Sequence, residues 1–144
     1  MNRRLNLSMA ALVFIATAAA AHEGVKNPAV KARMHAMDVI SDNLKTIGSM
    51  AQGKVAFDAT AAQDAVNEIA AQAEQIPTLF EAQETDPKSE AKPEIWTNWD
   101  DFVAQADALT SAAQKVDASS AKGLGQGLAT IGGTCRSCHM QYRS

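Results

Sequence analysis

The sequence lacks a positive charge excess, strand-like alternation and, beyond its N-terminus, any long apolar run. The chain has 144 residues, of which 16 are acidic and 13 basic. A nucleic-acid binder needs clustered lysine and arginine to contact phosphates, so this class of protein is excluded. The acidic balance instead favours partners with basic patches, through electrostatic steering. Beyond the N-terminal apolar run, no stretch is apolar enough to span a bilayer.

The N-terminal apolar run has the three-part layout of a secretory signal peptide. Arg3 and Arg4 precede an apolar stretch, and small residues ending at Ala21 follow it and fit the cleavage rule. The apolar stretch is shorter than the roughly 20 residues of a membrane span, although an uncleaved anchor is the alternative. We therefore predict a signal peptide over 1–21 and one exported, periplasmic domain over 22–144. Without the two arginines, 11 basic and 16 acidic side chains remain, a net charge of about −5.

Only four prolines are present, and they leave long stretches with helical spacing between them. In each stretch, apolar residues recur three and four positions apart, which is the seam of a helix packed against nearly antiparallel neighbours. We therefore predict an all-α, antiparallel four-helix bundle. The four predicted helices cover about 28–52 with Asn27 as cap, Ala59 to just before Pro77 with Asp58 as cap, about Pro93 to Val116, and the residues after Asp117 with Asp117 or Ser119 as cap.

The two cysteines stand three residues apart, next to a histidine, near the end of the fourth predicted helix. Cys135, Cys138 and His139 occupy positions i, i+3 and i+4 and share one helix face, so they can address a single flat object. C-x-x-C-H is the signature of c-type haem attachment, with two thioether bonds and an axial histidine. The alternatives are a disulfide across the pair, or a zinc site that only His22 or His35 could complete.

The seam of the first helix holds two residues that bear on the opposite side of such a haem. Arg33 stands where an apolar residue is expected, so its guanidinium needs either an anionic partner, such as a haem propionate, or an escape to water. Met37, one turn later, is either core filler or a second axial ligand. Met34 lies at the edge of the seam and is a poorer ligand candidate, and His35 should point outward.

The two tryptophans and the glycines of the fourth helix each allow two structural roles. Trp96 and Trp99 are expected in the bundle interior or against the haem. Glycines are frequent early in the fourth helix, where each weakens a helix by about 1 kcal/mol relative to alanine. They fit either a close approach of the backbone to the macrocycle or a frayed helix start; these glycines are Gly123, Gly125, Gly127, Gly132 and Gly133.

Together these features resemble the class II cytochromes c, the cytochrome c′ family. The resemblance covers essentially the whole exported chain and rests on CRSCHMQYR at the C-terminus, AVKARMHAM in the first helix and KPEIW at the start of the third. It implies one covalent haem c, with thioether bonds to Cys135 and Cys138 and His139 as proximal ligand. By position, Arg33 matches an arginine near the propionates, and Arg143 matches a basic residue beside the proximal histidine.

The resemblance leaves two functions open for the chain. In low-spin members a methionine of the first helix binds the iron, and Met37 falls at that position, which favours an electron carrier with His/Met ligation. In high-spin members the sixth site is empty and binds NO or CO. An enzyme is not expected, because no distal acid–base residue is evident, and both a monomer and a homodimer stay open.

Overall fold

A computed structural model describes residues 24–144, so the predicted signal peptide over 1–21 and His22 lie outside the described residues. Four long helices form a ring in which α1 and α4 each pack against both α2 and α5. The short α3 leads into α4 and also contacts α5. This is the all-α four-helix architecture that the sequence predicts. The helices are α1 (Pro28–Ala51), α2 (Ala59–Phe80), α3 (Glu94–Thr97), α4 (Trp99–Gln114) and α5 (Ala121–Tyr142).

Contacts between helix ends show that neighbouring helices run antiparallel. Arg33, near the start of α1, binds the carbonyl of Leu79 at the end of α2. Tyr142, the last residue of α5, binds Asp101 near the start of α4. One end of the bundle therefore contains the start of α1, the end of α2, the start of α4 and the end of α5. Within residues 24–144, no helix is both long and apolar enough to cross a membrane.

The first two helices begin at the caps that the sequence predicts, and the last one does not. Asn27 Oδ1 accepts the backbone N–H groups of the first turn of α1, and Asp58 Oδ1 accepts one from the first turn of α2. For α5 the predicted cap of Asp117 or Ser119 is wrong. Ser120 caps this helix through its hydroxyl oxygen, which accepts the N–H of Gly123. Asp117 instead binds Ser119 within the preceding turn.

The prediction that the second helix ends before Pro77 is wrong, because α2 continues through Pro77 to Phe80. A proline inside a helix removes one backbone hydrogen bond. The added turn offsets this loss by burying Phe80 on the same face as Ile76. Its carbonyls also find side-chain donors, since Trp96 Nε1 binds Phe80 O at 2.7 Å and Arg33 binds the carbonyl before it.

The third predicted helix is interrupted at Asn98, whose backbone (φ −123°, ψ 45°) is not helical. The break separates two anchoring contacts. Before it, Ile95 is buried and Trp96 binds the end of α2. After it, Trp99 packs on Phe102 with ring centroids 5.7 Å apart. The single long helix of the prediction is therefore α3 and α4, joined at one residue.

Burial agrees with the predicted seams along α2 and α4 but is incomplete along α1 and α5. Every predicted seam residue of α2 is buried, as are those of α4 within its bounds except the half-buried Trp99. On α1 and α5, seven predicted seam residues are only half-buried: Met37, Leu44, Ala51, Ala121, Leu128, Cys135 and Cys138. Four of them, Met37, Leu44 and the two cysteines, line a cavity between the helices.

The glycines at the start of α5 are explained in part by contacts with the turn before it. A Cβ at Gly123 would overlap the backbone oxygen of Asp117, and one at Gly127 would lie 2.6 Å from a methyl group of Val116. At Gly125 a Cβ would meet nothing within 4 Å. The start of α5 therefore approaches the α4–α5 link closely, which neither of the two sequence-based explanations included.

This contrast predicts opposite effects for two alanine substitutions two residues apart in α5. Gly123→Ala should lower the free energy of unfolding by about 1–3 kcal/mol, because the link must shift to admit the methyl group. Gly125→Ala is the matched control and should raise it by up to about 1 kcal/mol, through helix propensity alone. Urea unfolding followed by circular dichroism measures both. Equal effects of the two substitutions would show that the close contact at Gly123 is relieved without cost.

Candidate functional site

A cavity of about 590 Å³ lies between the helices, towards the end of the bundle that contains the C-terminus. All five residues predicted to bind the cofactor line this one cavity. They come from two helices, with Arg33 and Met37 on α1 and Cys135, Cys138 and His139 on α5. The fold thus brings together residues about 100 positions apart in the chain, a proximity that the local spacing of residues does not determine.

The two cysteines are half-buried free thiols on the inner face of α5. Burial raises the pKa of Cys135, and burial together with the charges of Cys135 and Asp101 raises that of Cys138 to about 11. Both thiols are therefore protonated at pH 7. Reactive redox cysteines usually have a lowered pKa in electropositive surroundings, so this environment does not favour a redox pair.

His139 lies next to the thiols, at the exposed rim of the cavity. Partial burial lowers the pKa of its imidazole, the charge of Arg143 lowers it further, and the charge of Glu90 opposes both. A neutral imidazole is the form that binds a metal. His35, by contrast, is exposed on α1 and does not line the cavity, as the sequence predicts. Within residues 24–144, no cluster of three or more His, Cys, Asp or Glu side chains is arranged to hold a metal ion.

Arg33 is buried, with 3% of its surface exposed, and carbonyls at the end of α2 and in the link that follows account for its position. Its Nε binds Leu79 O at 2.9 Å, its Nη1 binds Glu84 O at 2.8 Å, and its Nη2 binds Ala82 O at 2.5 Å. The guanidinium also lies over the rings of Phe80 and Trp96, 4.7 and 5.5 Å from their centroids.

From the sequence, Arg33 was expected to have either an anionic partner or an escape to water. The structure shows a third arrangement, in which backbone carbonyls compensate the buried charge. Burial still lowers the pKa of the guanidinium, and the charge of Glu84 acts in the opposite direction. Three of the five guanidinium N–H groups are used in this way, while the side chain lines the cavity.

Methionines of α1 form part of the same wall. Met37 and Met34 both line the cavity and are half-buried. The tryptophans do not contribute to the lining: Trp96 binds the end of α2, and Trp99 packs on Phe102. Both tryptophans therefore pack within the bundle, as one of the two expectations had it, but neither lines the cavity.

Tyr142 belongs to the predicted inner face of the last helix, and it also lines the cavity, which the sequence pattern did not assign to it. Tyr142 is buried, donates a hydrogen bond to Asp101 Oδ2 at 2.6 Å, and meets the ring of Phe102 edge-on at 5.3 Å. Burial and the bond to Asp101 raise the pKa of this phenol to about 12, so it stays protonated. Its spacing of three from His139 was a usable signal, because i and i+3 share a helix face.

The α2–α3 link (residues 81–93) also lines the cavity, and no local pattern marked it. The carboxylate of Asp86 is buried and accepts the backbone N–H groups of Lys26, Asn27 and Lys88 at 2.8–3.1 Å. These bonds lower the pKa of Asp86, the bond from Lys88 most. Further along, Glu90 binds the C-terminus of the chain. The link is thus fastened to both ends of the described chain.

The cavity fits a flat, largely apolar group attached to α5. Most of its wall is apolar, with side chains such as Ile40, Ile76 and Leu109. Two cysteine sulfurs and an imidazole lie together on one side of it. Protein interiors are otherwise packed to near-crystalline density, and a cavity of about 590 Å³ in a small bundle has room for such a group. The polar residues at the rim suit a group with a charged edge.

Comparisons with known proteins point to one family. Residues 28–143 match the family model described as Cytochrome C′. The cytochrome c′ of Pararhodospirillum photometricum is 34% identical over 119 residues, covering 79% of this chain and 94% of that protein. A cytochrome c-556 of Agrobacterium tumefaciens is 33% identical over 115 residues, covering 78% and 91%. The structure of cytochrome c prime from Shewanella frigidimarina is 28% identical and superposes with a TM-score of 0.70 over 81% of this chain and 94% of that one.

Proposed function

The chain belongs to the cytochrome c′ family, and from this we propose that it is a periplasmic electron carrier whose haem c is ligated by His139 and Met37. A covalently bound haem c supplies one-electron redox chemistry to proteins of this class. Cys135 and Cys138 would hold the haem through thioether bonds, and His139, on the same face of α5, would be its proximal ligand. No substrate is transformed in this function.

Met37 is the observation that carries the choice of an electron carrier. Its thioether lines the cavity from α1, while His139 lines it from α5. A methionine and a histidine from two different helices are the ligand set that raises the potential of electron-transferring cytochromes. Because both side chains are held by packed helices, little rearrangement would accompany electron transfer.

The remaining residues of the site would orient and shield the haem. The apolar wall excludes water from its faces. Arg33 would place its two remaining N–H groups near a propionate, in addition to binding the end of α2. The acidic net charge supports a redox partner with basic patches.

The alternative function is that of a five-coordinate haem protein that binds NO or CO. Two observations favour it: a relative is named cytochrome c′, and a half-buried methionine in an apolar wall can pack without binding iron. The same three residues of α5 would hold the haem. The two functions differ only in whether Met37 closes the sixth position.

Visible absorption spectroscopy of the protein isolated from the periplasm tests this proposal. We expect sharp, separate α and β bands in the reduced protein, and no change when CO is added. A broad high-spin spectrum that shifts with CO would establish the alternative. Mass spectrometry of the same sample should show the mass of one haem on the chain, and a colourless product without it would contradict both functions.

A further inference from the structure

The C-terminus of the chain is clasped to the α2–α3 link through Glu90. Arg143 Nε donates to Glu90 Oε2 at 2.5 Å, and Arg143 Nη2 lies 2.5 Å from the same oxygen in an ion pair. Backbone bonds reinforce this pair, since Ser144 N binds Glu90 O at 2.9 Å and Lys92 N binds Tyr142 O at 3.0 Å. The carboxylate of Glu90 is therefore held in one place by its own backbone and by its partner.

This clasp lies at the end of the cavity where His139 is located. Glu90, Arg143 and His139 all line the cavity. The backbone N–H of Arg143 binds His139 O at 3.1 Å, so the last turn of α5 connects the ion pair directly to the histidine. A negative and a positive charge are thus fixed near the imidazole at known positions in the fold.

The ion pair between Glu90 and Arg143 should contribute little to the free energy of unfolding. Both side chains are 55% exposed, and exposed ion pairs contribute little to folding. Their charges nevertheless act on a site whose own charge changes by one unit on reduction. A fixed negative charge favours the more positive, oxidised state, and a fixed positive charge favours the reduced state.

We propose that the carboxylate of Glu90, held by Arg143 beside His139, lowers the reduction potential of the haem site through its charge, and that the charge of Arg143 opposes this effect. This inference rests on His139 as the axial ligand. That ligand is common to the electron carrier and to the gas-binding alternative, so the inference does not depend on Met37.

The test is a redox titration of the holoprotein at low ionic strength. Glu90→Gln keeps an oxygen that can accept from Arg143 but removes the charge, so the midpoint potential should rise. We expect the equilibrium with a fixed mediator to shift three- to tenfold toward the reduced form, or roughly 30–60 mV for one electron. Arg143→Gln should lower the potential, and the double variant should return close to the wild-type value. High salt should shrink each shift, because the charges are exposed.

Asp42→Asn is the matched control, because Asp42 forms an exposed ion pair with Lys45 and neither residue lines the 590 Å³ cavity. Its potential should equal that of the wild type. If Glu90→Gln shifts the potential no more than this control does, and only lowers the melting temperature, then Glu90 is merely a clasp and the proposal is wrong. If Glu90→Gln does not accumulate as folded protein, Arg143→Gln is the test. A midpoint potential of Arg143→Gln that does not fall below that of the wild type would overturn the proposal. Adding CO to the wild-type protein distinguishes failure of the proposed function from failure of this proposal. A spectrum that shifts with CO would refute the electron carrier, but the potentials of the variants would still test the role of Glu90.

Discussion

Replacing Met37 with alanine should open the haem iron to CO. The visible spectrum of the reduced wild-type protein should not change when CO is added, whereas all of the reduced variant should bind CO. The expectation follows from the proposed ligand set, in which the Met37 thioether occupies the sixth position. Alanine has no donor atom, and the space it leaves opens into the existing cavity. The reduction potential should fall, because methionine ligation raises it. CO titration followed by visible spectroscopy, with a redox titration alongside, measures both effects.

Met34 provides a matched control for this experiment. It is a second half-buried methionine of α1 that lines the same cavity, three residues before Met37. Met34→Ala removes the same number of atoms from the wall and should leave the spectrum unchanged under CO. Met37→Leu keeps most of the volume without a sulfur, so it should bind CO with a smaller loss of stability than Met37→Ala.

The possible outcomes distinguish three roles for these methionines. If Met34→Ala opens the site and Met37→Ala does not, then Met34 is the ligand and its position at the seam edge was misjudged. If neither variant changes the spectrum or the CO response of a low-spin protein, the sixth ligand is another residue. A wild-type protein that already binds CO would assign Met37 to packing.

Replacing Arg33 with methionine should destabilise the bundle by about 3–5 kcal/mol, which is the largest stability effect expected in this chain. The substitution leaves the carbonyls of Leu79, Ala82 and Glu84 without their donors in a region where water has little access. It also removes the cation from the faces of Phe80 and Trp96. Domains of this size are stable by only about 5–15 kcal/mol, so a substantial fraction of the protein should be lost to unfolding.

Urea unfolding of the holoprotein measures this effect, with Arg136→Met as the control. Arg136 is an exposed arginine on α5, and its substitution should change the free energy of unfolding by less than about 0.5 kcal/mol. Arg33→Lys should fall between the two, because an ammonium cannot reach three separate carbonyls in the same geometry. If Arg33→Met alters the reduction potential but not the stability, the arginine serves the propionates and its carbonyl bonds are incidental.

Spacing along the chain was enough to predict the helices but not their interruptions. The seams of α2 and α4 are buried as predicted, because a repeat of three and four residues places side chains on one face whatever surrounds them. Pro77 and Asn98 were misjudged because their environment is not local. The end of α2 is stabilised by donors from α1 and α3, and these more than offset the bond that the proline removes.

The same division applies to the site. Cys135, Cys138 and His139 were identifiable because they share a face of a single helix. Arg33 stood out against the apolar seam of another, and Met37 offered a thioether one turn later in that seam. The glycines at the start of α5 could not be explained, because the atoms that Gly123 and Gly127 approach belong to the turn before the helix, whose path depends on how α4 packs.

By itself, the sequence determined that this protein is a helical bundle with two thiols and an imidazole aligned on its last helix, since both features depend only on residue spacing. Tertiary structure alone decided that Arg33 binds carbonyls 46 to 51 residues away and that Glu90 pairs with Arg143 across 53 residues. Such partners meet only when packing brings distant segments together. The spacing of residues along one helix does not determine which distant carbonyl or charged side chain will pack against it.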